Sequence, residues 1–392
     1  MISVEEAFEL VQKNIIPTTK TQKQSISKSL GFVLAETVLS PINMPPFRQS
    51  AMDGYALNIH TKNNYTIIDE VKAGDGHHPV LKAGEAVRIF TGSAVPDTAN
   101  SVIMQEKTSR EGDVLTLTSP AVENENIRPL GEQVKKGAIA LKKDTKLSPA
   151  AIGYLTTLGI SEIEVFTKPS IAIVTTGSEL VEAGQELTYG KIYESNSGML
   201  QTALQSLGFD KVTITKVKDD FISTKISLEK AISENDLVLI SGGISVGDYD
   251  FVGKALLELG TEQLFYKVKQ KPGKPLFFGK KGNTPVFALP GNPASALNSF
   301  YVYVQPALQK LSGNNDFSLP RVNAMLTSNF IKKGNRAQFL KASVKNGEVT
   351  ILEGQSSAML HTFAIANAFV YVPAEVNTLS KGDSVEVIML PV

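Results

Sequence analysis

At 392 residues the chain is too long for one ordinary hydrophobic core, so two to four domains of roughly 100 to 150 residues are expected. Its 39 basic and 39 acidic residues cancel, which excludes a whole-chain polyelectrolyte role toward nucleic acid or acidic membranes. Cysteine is absent and there are only four histidines, which removes disulfides, thiolate zinc sites and a histidine-rich metal cage and leaves hard, oxygen-ligated cations as the plausible metals.

No apolar run approaches the roughly 20 residues that span a bilayer, and Met1-Ile2-Ser3-Val4 lacks the basic start of a secretory signal, so a cytoplasmic protein without a membrane partner is expected. Ser3 with Glu6, followed by Val4, Ala7, Phe8 and Val11 at helical spacing, predicts a first helix opened by a capping box. The stretch Pro41-Ile42-Asn43-Met44-Pro45-Pro46 can continue neither helix nor central strand and marks a boundary. Between Ala51 and Gly137, short apolar runs at 65–68, 86–90, 101–104 and 114–117 are separated by Gly, Pro and Asp, which predicts a β-rich domain. Ser148-Pro149 caps a second helix that stops at Gly159, before an extended run at 162–166. This helix is expected to pair with the first, making the β-rich segment an insertion.

Beyond Pro169, strands at 171–175, 212–217, 237–240 and 286–289 alternate with helices near 197–207, 222–233, 251–259 and 294–311. That alternation predicts a central doubly wound α/β domain with a parallel sheet covered on both faces. After Leu319, strands at 322–326, 338–344, 349–352, 368–372 and 384–388 predict a small β-barrel or sandwich, with the barrel preferred. The fold class is thus multidomain α/β plus β. The expected domains are 1–44 with 138–168 (elongated, linking or dimerising), 45–137 (the β-rich insertion), 169–316 (α/β) and 317–392 (the C-terminal barrel).

Ligands of a doubly wound sheet bind beyond the carboxyl ends of its strands, so the chemistry should lie in the loops that follow them. Three such loops combine small residues with polar tips: Thr176-Gly177-Ser178-Glu179, Ser241 to Asp250, and Pro290-Gly291-Asn292-Pro293-Ala294-Ser295. Glycine lets backbone N–H groups converge on an anion, which assigns Gly242, Gly243 and Gly291 to phosphate binding, with Pro290, which has no N–H of its own, as part of the same loop. One Gly-rich loop alone reads equally well as a tight turn; three at one sheet edge favour the anion. Neither G-x-G-x-x-G after the first strand nor G-x-x-x-x-G-K-[ST] is present, which argues against dinucleotide and P-loop sites. Lys267, Lys271 and Lys274 surround a stiff Lys271-Pro272-Gly273-Lys274-Pro275 turn, an oxyanion clamp in this setting and a solvated basic turn in isolation. Glu179, Asp219 and Asp250 stand near strand ends as oxygen ligands for Mg²⁺ would, Glu179 and Asp250 foremost, whereas Asp219 alone reads as a helix N-terminal charge. By periodicity, Asp53-Gly54 is only a turn.

At Pro45-Pro46-Phe47-Arg48-Gln49-Ser50-Ala51-Met52-Asp53-Gly54-Tyr55-Ala56, Ser241-Gly242-Gly243-Ile244-Ser245-Val246-Gly247-Asp248-Tyr249-Asp250, Lys271-Pro272-Gly273-Lys274-Pro275 and Leu289-Pro290-Gly291-Asn292-Pro293, the chain resembles the molybdopterin molybdenumtransferase family, the bacterial MoeA proteins and the E domain of gephyrin. The resemblance covers essentially the whole length. It implies an elongated four-domain subunit that forms a homodimer, with the active cleft between the α/β domain of one subunit and the Asp53-bearing domain of the other. It implies that adenylylated molybdopterin and molybdate yield molybdenum cofactor and AMP, with Mg²⁺ required. By motif, Asp53, Glu179, Asp219 and Asp250 would be the catalytic carboxylates and Thr91 a cleft-lining hydroxyl. Ser245, Lys267, Lys271, Lys274, Ser295 and Arg336 would surround the molybdate. Candidate protein partners are the molybdopterin adenylyltransferase and apo-molybdoenzymes.

The chemistry agrees with that implication. Molybdate has four acceptor oxygens and no donor, so its site needs ammonium, guanidinium, hydroxyl and N–H groups. Cleaving a phosphoanhydride accumulates negative charge that fixed donors and a metal stabilise. Two positions depart from the family pattern: Gly131-Glu132-Gln133 replaces Gly-Glu-Asp, and Lys341 stands where an arginine is common. Two other readings compete. A non-catalytic dimeric scaffold would tolerate loss of the carboxylates, which this chain keeps, and a molybdopterin adenylyltransferase would need only the central domain.

Overall fold

The computed structural model describes residues 1–218, 220–243, 251–315 and 317–391. The chain divides into two compact units, one of Met1–Gln22, Gly31–Val33 and Phe166–Val392, the other of Lys23–Leu30 and Leu34–Val165.

The first unit is built on a six-stranded sheet in the order Val212–Val217, Ile171–Thr176, Leu237–Ser241, Thr284–Leu289, Pro275–Lys281, Glu262–Lys267. Successive side chains of a strand point to opposite faces, so a strand apolar throughout needs cover on both. Ile171, Ile173, Leu237 and Leu239 pack on one side with Leu200 and Leu204 of the helix Asn196–Ser206, while Ala172, Val174, Val238 and Ile240 pack on the other with Leu228, Ala255 and Leu256 of the helices Phe221–Glu234 and Phe251–Glu258. This is the expected doubly wound arrangement. The sheet is mixed, however: its first four strands are parallel, and Pro275–Lys281 and Glu262–Lys267 join antiparallel. The sequence pattern misses these two because Pro275 reads as a breaker where it opens a strand, and because the two-residue turn through Gly282 (φ 60°) leaves almost no loop to signal a hairpin.

The helix expected at 294–311 is a continuous helical segment with a π-helical stretch, Phe300–Val304, between Pro293–Ser299 and Gln305–Leu311. Pro306 explains the interruption, since it has no N–H to donate and in a regular α-helix its ring would strike the carbonyl of Val302. The first helix, Val4–Asn14, carries the predicted capping box: Ser3 Oγ accepts from the Glu6 N–H at 3.0 Å, and the Glu6 carboxylate accepts from the Ser3 N–H at 2.8 Å. Its apolar residues Val4, Ala7 and Val11 are buried in the α/β core beside Gln305–Leu311, where the sequence pattern predicts pairing with the helix after Ser148.

Arg321–Leu326, Ala337–Lys345, Glu348–Ile351, Ala368–Val372 and Ser384–Met389 close into a five-stranded barrel, because Ala337–Lys345 pairs with both Glu348–Ile351 and Ala368–Val372. Leu326, Leu340, Val349, Val370 and Val387 are among the residues that fill it. The short strand Gln270–Lys271 adds alongside Ala337 and Gln338 in parallel. Lys341, where the family pattern calls for arginine, is only 2% exposed. Its Nζ donates to the carbonyls of Gly354 (2.7 Å) and Met359 (2.8 Å) and lies 5.4 Å from the Phe363 ring centre. Desolvation holds its ammonium below the usual lysine value. This lysine is a structural cation of the barrel.

The second unit holds another six-stranded sheet, ordered Ser101–Met104, Gly54–Leu57, Glu85–Ile89, Asn64–Val71, Val114–Leu117, Thr108–Glu111. Its β-rich character is as expected. The helix Pro149–Thr157 is capped by Ser148 Oγ, which accepts from the Ala151 N–H at 3.2 Å, and Gly159 (φ 77°) follows its end. Gly54, placed in a turn by periodicity, opens a buried strand, and a Cβ there would lie 1.8 Å from the carbonyl oxygen of Ile103 on the neighbouring strand. Only glycine permits that approach. No helix among the described residues is long and apolar enough to cross a membrane.

Candidate functional site

In the first unit a cavity of about 740 Å³ opens beyond the carboxyl ends of Ile171–Thr176, Leu237–Ser241 and Thr284–Leu289. All three loops singled out by sequence reach it: Thr176, Gly177 and Glu179 from the first, Ser241, Gly242 and Gly243 from the second, Pro290 and Gly291 from the third. The glycines are sterically required. Gly242 (φ 94°) and Gly243 (φ 66°) sit so close to the first loop that a Cβ on Gly242 would lie 2.3 Å from the Thr176 carbonyl oxygen, and one on Gly243 would lie 2.8 Å from Thr176 Oγ1.

A residue that the sequence reading missed holds the loops together. Asn196, 8% exposed at the start of the helix Asn196–Ser206, donates through Nδ2 to Ser241 Oγ and to the Gly291 carbonyl, both at 2.8 Å. The carbonyl can only accept, which fixes the amide orientation and leaves Oδ1 buried without a partner among the described residues. Thr176 Oγ1 is likewise unpartnered there. No sequence signal marks Asn196, since its partners lie 45 and 95 positions away.

Charge enters the cavity from Lys267 and Lys274, which line it, and from Glu179. Lys267 ends the strand Glu262–Lys267, its Nζ 5.1 Å from the Tyr266 ring centre. Lys271 and Lys274 are both exposed, and Lys271 is not among the lining residues. Arg336 stands at the base of the lysine turn, its Nη1 donating to the Gln270 carbonyl at 3.1 Å. Ser295 is 2% exposed, and its carbonyl oxygen lies 3.5 Å from the position a Cβ would take on Gly273. Asp219, Ser245 and Asp250 lie outside the described residues.

No group of three His, Cys, Asp or Glu side chains that could hold a metal occurs among the described residues. The donor chemistry of the cavity still suits a hard cation. Among the described residues it is lined by neither His nor Cys, and of the two carboxylates among them Glu194 is engaged with the Ser197 N–H (2.9 Å) and hydroxyl, whereas the Glu179 carboxylate folds over Gly177, 2.9 Å from the site of a Cβ there. Glu179 is therefore the described residue able to offer an oxygen to Mg²⁺.

The second unit carries its own polar cluster. Asp53 Oδ1 accepts from the Thr91 N–H at 2.6 Å, and this bond, helped by the guanidinium of Arg88, keeps the carboxyl below its usual range. Arg88 is fixed in turn. It donates to the Gly54 carbonyl (2.9 Å) and to Gln105 Oε1 (2.7 Å), and its guanidinium lies 5.2 Å and 4.8 Å from the ring centres of Tyr55 and Phe90. Asp53 is exposed, so this cluster presents a held carboxylate to solvent. Gln133 is exposed as well, its N–H donating to the Met44 carbonyl at 2.9 Å.

Three family models cover most of the chain. The MoeA N-terminal region (domain I and II) matches residues 2–159, the probable molybdopterin binding domain matches 172–310, and the MoeA C-terminal region (domain IV) matches 323–390. The molybdopterin molybdenumtransferase of Haemophilus influenzae is 33% identical over 397 residues, an alignment covering 99% of this chain and 98% of that protein. That of Staphylococcus epidermidis is 31% identical over 401 residues, covering 99% and 95%. The crystal structure of the molybdopterin biosynthesis moeA protein from Pyrococcus horikoshii OT3 superposes with a TM-score of 0.87 at 32% identity, over 100% of both chains.

Proposed function

This chain belongs to the molybdopterin molybdenumtransferase (MoeA) family, and from that premise we propose that it inserts molybdate into adenylylated molybdopterin with Mg²⁺-dependent release of AMP. The observation that carries this reading is the convergence of three glycine-containing loops, Lys267, Lys274 and Glu179 on one cavity of about 740 Å³. Backbone N–H groups of Gly242, Gly243 and Gly291 bind the phosphate oxygens, with Pro290 shaping the third loop and the helix start at Asn196 adding a favourable dipole. The molybdate is held by cations and hydroxyls, from Lys267, Lys271, Lys274, Ser245, Ser295 and Arg336, because it has only acceptors to offer. Glu179 would hold Mg²⁺ together with Asp250, with Asp219 as a further carboxylate, and the cation would neutralise charge on the phosphoanhydride.

Asp53 and Thr91 complete the site in this proposal. They belong to a cleft shared across a homodimer, with Asp53 of the partner subunit facing the α/β loops. The subunit is organised as 1–44 with 138–168, 45–137, 169–316 and 317–392, and works in the cytoplasm beside the molybdopterin adenylyltransferase and apo-molybdoenzymes. Gln133 is an amide that cannot offset cationic charge, so the reaction relies on Asp53, Glu179, Asp219 and Asp250.

The test is incubation with adenylylated molybdopterin, molybdate and Mg²⁺ while AMP is followed. Release that requires both molybdate and the metal supports the proposal, and its absence would leave the non-catalytic scaffold as the better reading.

A further inference from the structure

The lysine turn rests on two residues that no motif marks. Gln270 and Tyr303 are both 0% exposed, 33 positions apart, and the Tyr303 hydroxyl donates to Gln270 Oε1 at 2.5 Å. Burial pushes that hydroxyl well above the usual tyrosine value, so it keeps its proton and can only be the donor toward a carboxamide oxygen. The other end of the amide is thereby fixed as a donor, and Nε2 donates to the Gly273 carbonyl at 3.0 Å. Gly273 has no freedom to leave: at φ 80° it sits so close to its neighbours that a Cβ would lie 2.9 Å from Ser299 Oγ and 3.2 Å from Gln270 Nε2. The backbone of Gln270 is held as well, its carbonyl accepting from Arg336 and its strand pairing with Ala337 of the barrel.

A buried glutamine is costly unless both ends of its amide are satisfied, and a methionine would fill similar space at no polar cost. What the amide adds is specific: its donor goes to the carbonyl of the one residue between Pro272 and Lys274. We infer that the Gln270–Tyr303 pair is a positioning lock that fixes the Lys271–Lys274 turn in its oxyanion-binding geometry and ties that geometry to the C-terminal barrel. Neither side chain touches substrate; both act through Gly273. The functional side of this inference rests on the proposed transferase reading of the turn.

The experiment compares wild type, Gln270→Met, Tyr303→Phe and the double variant by thermal melting, by hydrogen exchange of the peptide spanning 268–276, and by the molybdate dependence of AMP release. Tyr303→Phe strands the Gln270 amide oxygen, and Gln270→Met strands both the Tyr303 hydroxyl and the Gly273 carbonyl, so both single variants should lose stability, whereas the double variant leaves only the Gly273 carbonyl without its donor and should restore part of it. The lock predicts that the double variant, although stable, exchanges faster across the turn and shows a molybdate KM raised roughly fivefold to tenfold, the effect of one unmade hydrogen bond, with kcat within about threefold. Wild-type exchange and wild-type KM in the stable double variant would overturn the lock and leave the pair as core filling. A wild-type protein that releases no AMP would sink the transferase reading instead, and the exchange comparison would still decide the lock.

Discussion

The Asp53 carboxylate takes its hydrogen bond from a backbone N–H, that of Thr91 at 2.6 Å, and not from a side chain of opposite charge. A bond of this kind favours the ionised form, and the Thr91 side chain adds to it. The carboxyl of Asp53 should therefore titrate below the ordinary aspartate value of about 3.9 when followed by carbon NMR. For a depressed carboxylate, the contribution to stability is present above the unfolded-state value and fades as the pH drops through the folded one. A midpoint at or above about 3.9 would contradict the arrangement.

A cleft shared between subunits makes a prediction about mixtures. Asp53→Asn and Glu179→Gln proteins, each inactive alone, should regain activity when mixed under conditions that exchange subunits, because each heterodimer has one cleft with both defects and one with neither. Random exchange gives about a quarter of the wild-type rate. Proven exchange without recovery would put both residues in the site of a single chain.

Lys274 lines the cavity and Lys271 does not, although both flank the same turn. Lys274→Ala should raise the molybdate KM by about tenfold, equivalent to ~1.4 kcal/mol, a charge-assisted bond reduced by its exposure. Lys271→Ala should raise it less. Equal KM values for both variants and wild type would return the turn to an ordinary solvated one.

Lys341→Met should destabilise the barrel by roughly 1–3 kcal/mol in urea unfolding, since the Met359 carbonyl loses its donor and that of Gly354 keeps only Thr362 at 3.1 Å. The pH dependence has a definite sign. A lysine whose folded value is depressed binds fewer protons folded than unfolded, so wild-type stability should rise with pH between that depressed value and about 10.4. The methionine variant should lack the rise.

What the sequence made legible was local or repetitive. Ser3 and Glu6 announce a capping box because their partners are three residues apart, and Ile171 to Thr175 announce a strand buried on both faces because every position is apolar or small. The three strand-end loops were legible through their glycines, and they converge as the topology requires. The antiparallel strands around the lysine turn were hidden by Pro275 and a two-residue hairpin. Asn196 and Arg88 were invisible for a different reason: each derives its place from partners supplied by other strands and loops, and nothing in the flanking residues encodes such long-range bonds.

The strand Gln270–Lys271 that runs beside Ala337 and Gln338 makes the barrel something other than a transferable module. Its outer strand is contributed by a segment that begins more than forty residues earlier in the chain, so recombination that exchanged only the C-terminal region would bring in a barrel cut to fit another protein's lysine turn. Chimeras joined between Leu311 and Arg321 should inherit this mismatch, whereas a crossover upstream of Glu262 would carry the turn and the barrel as one heritable block.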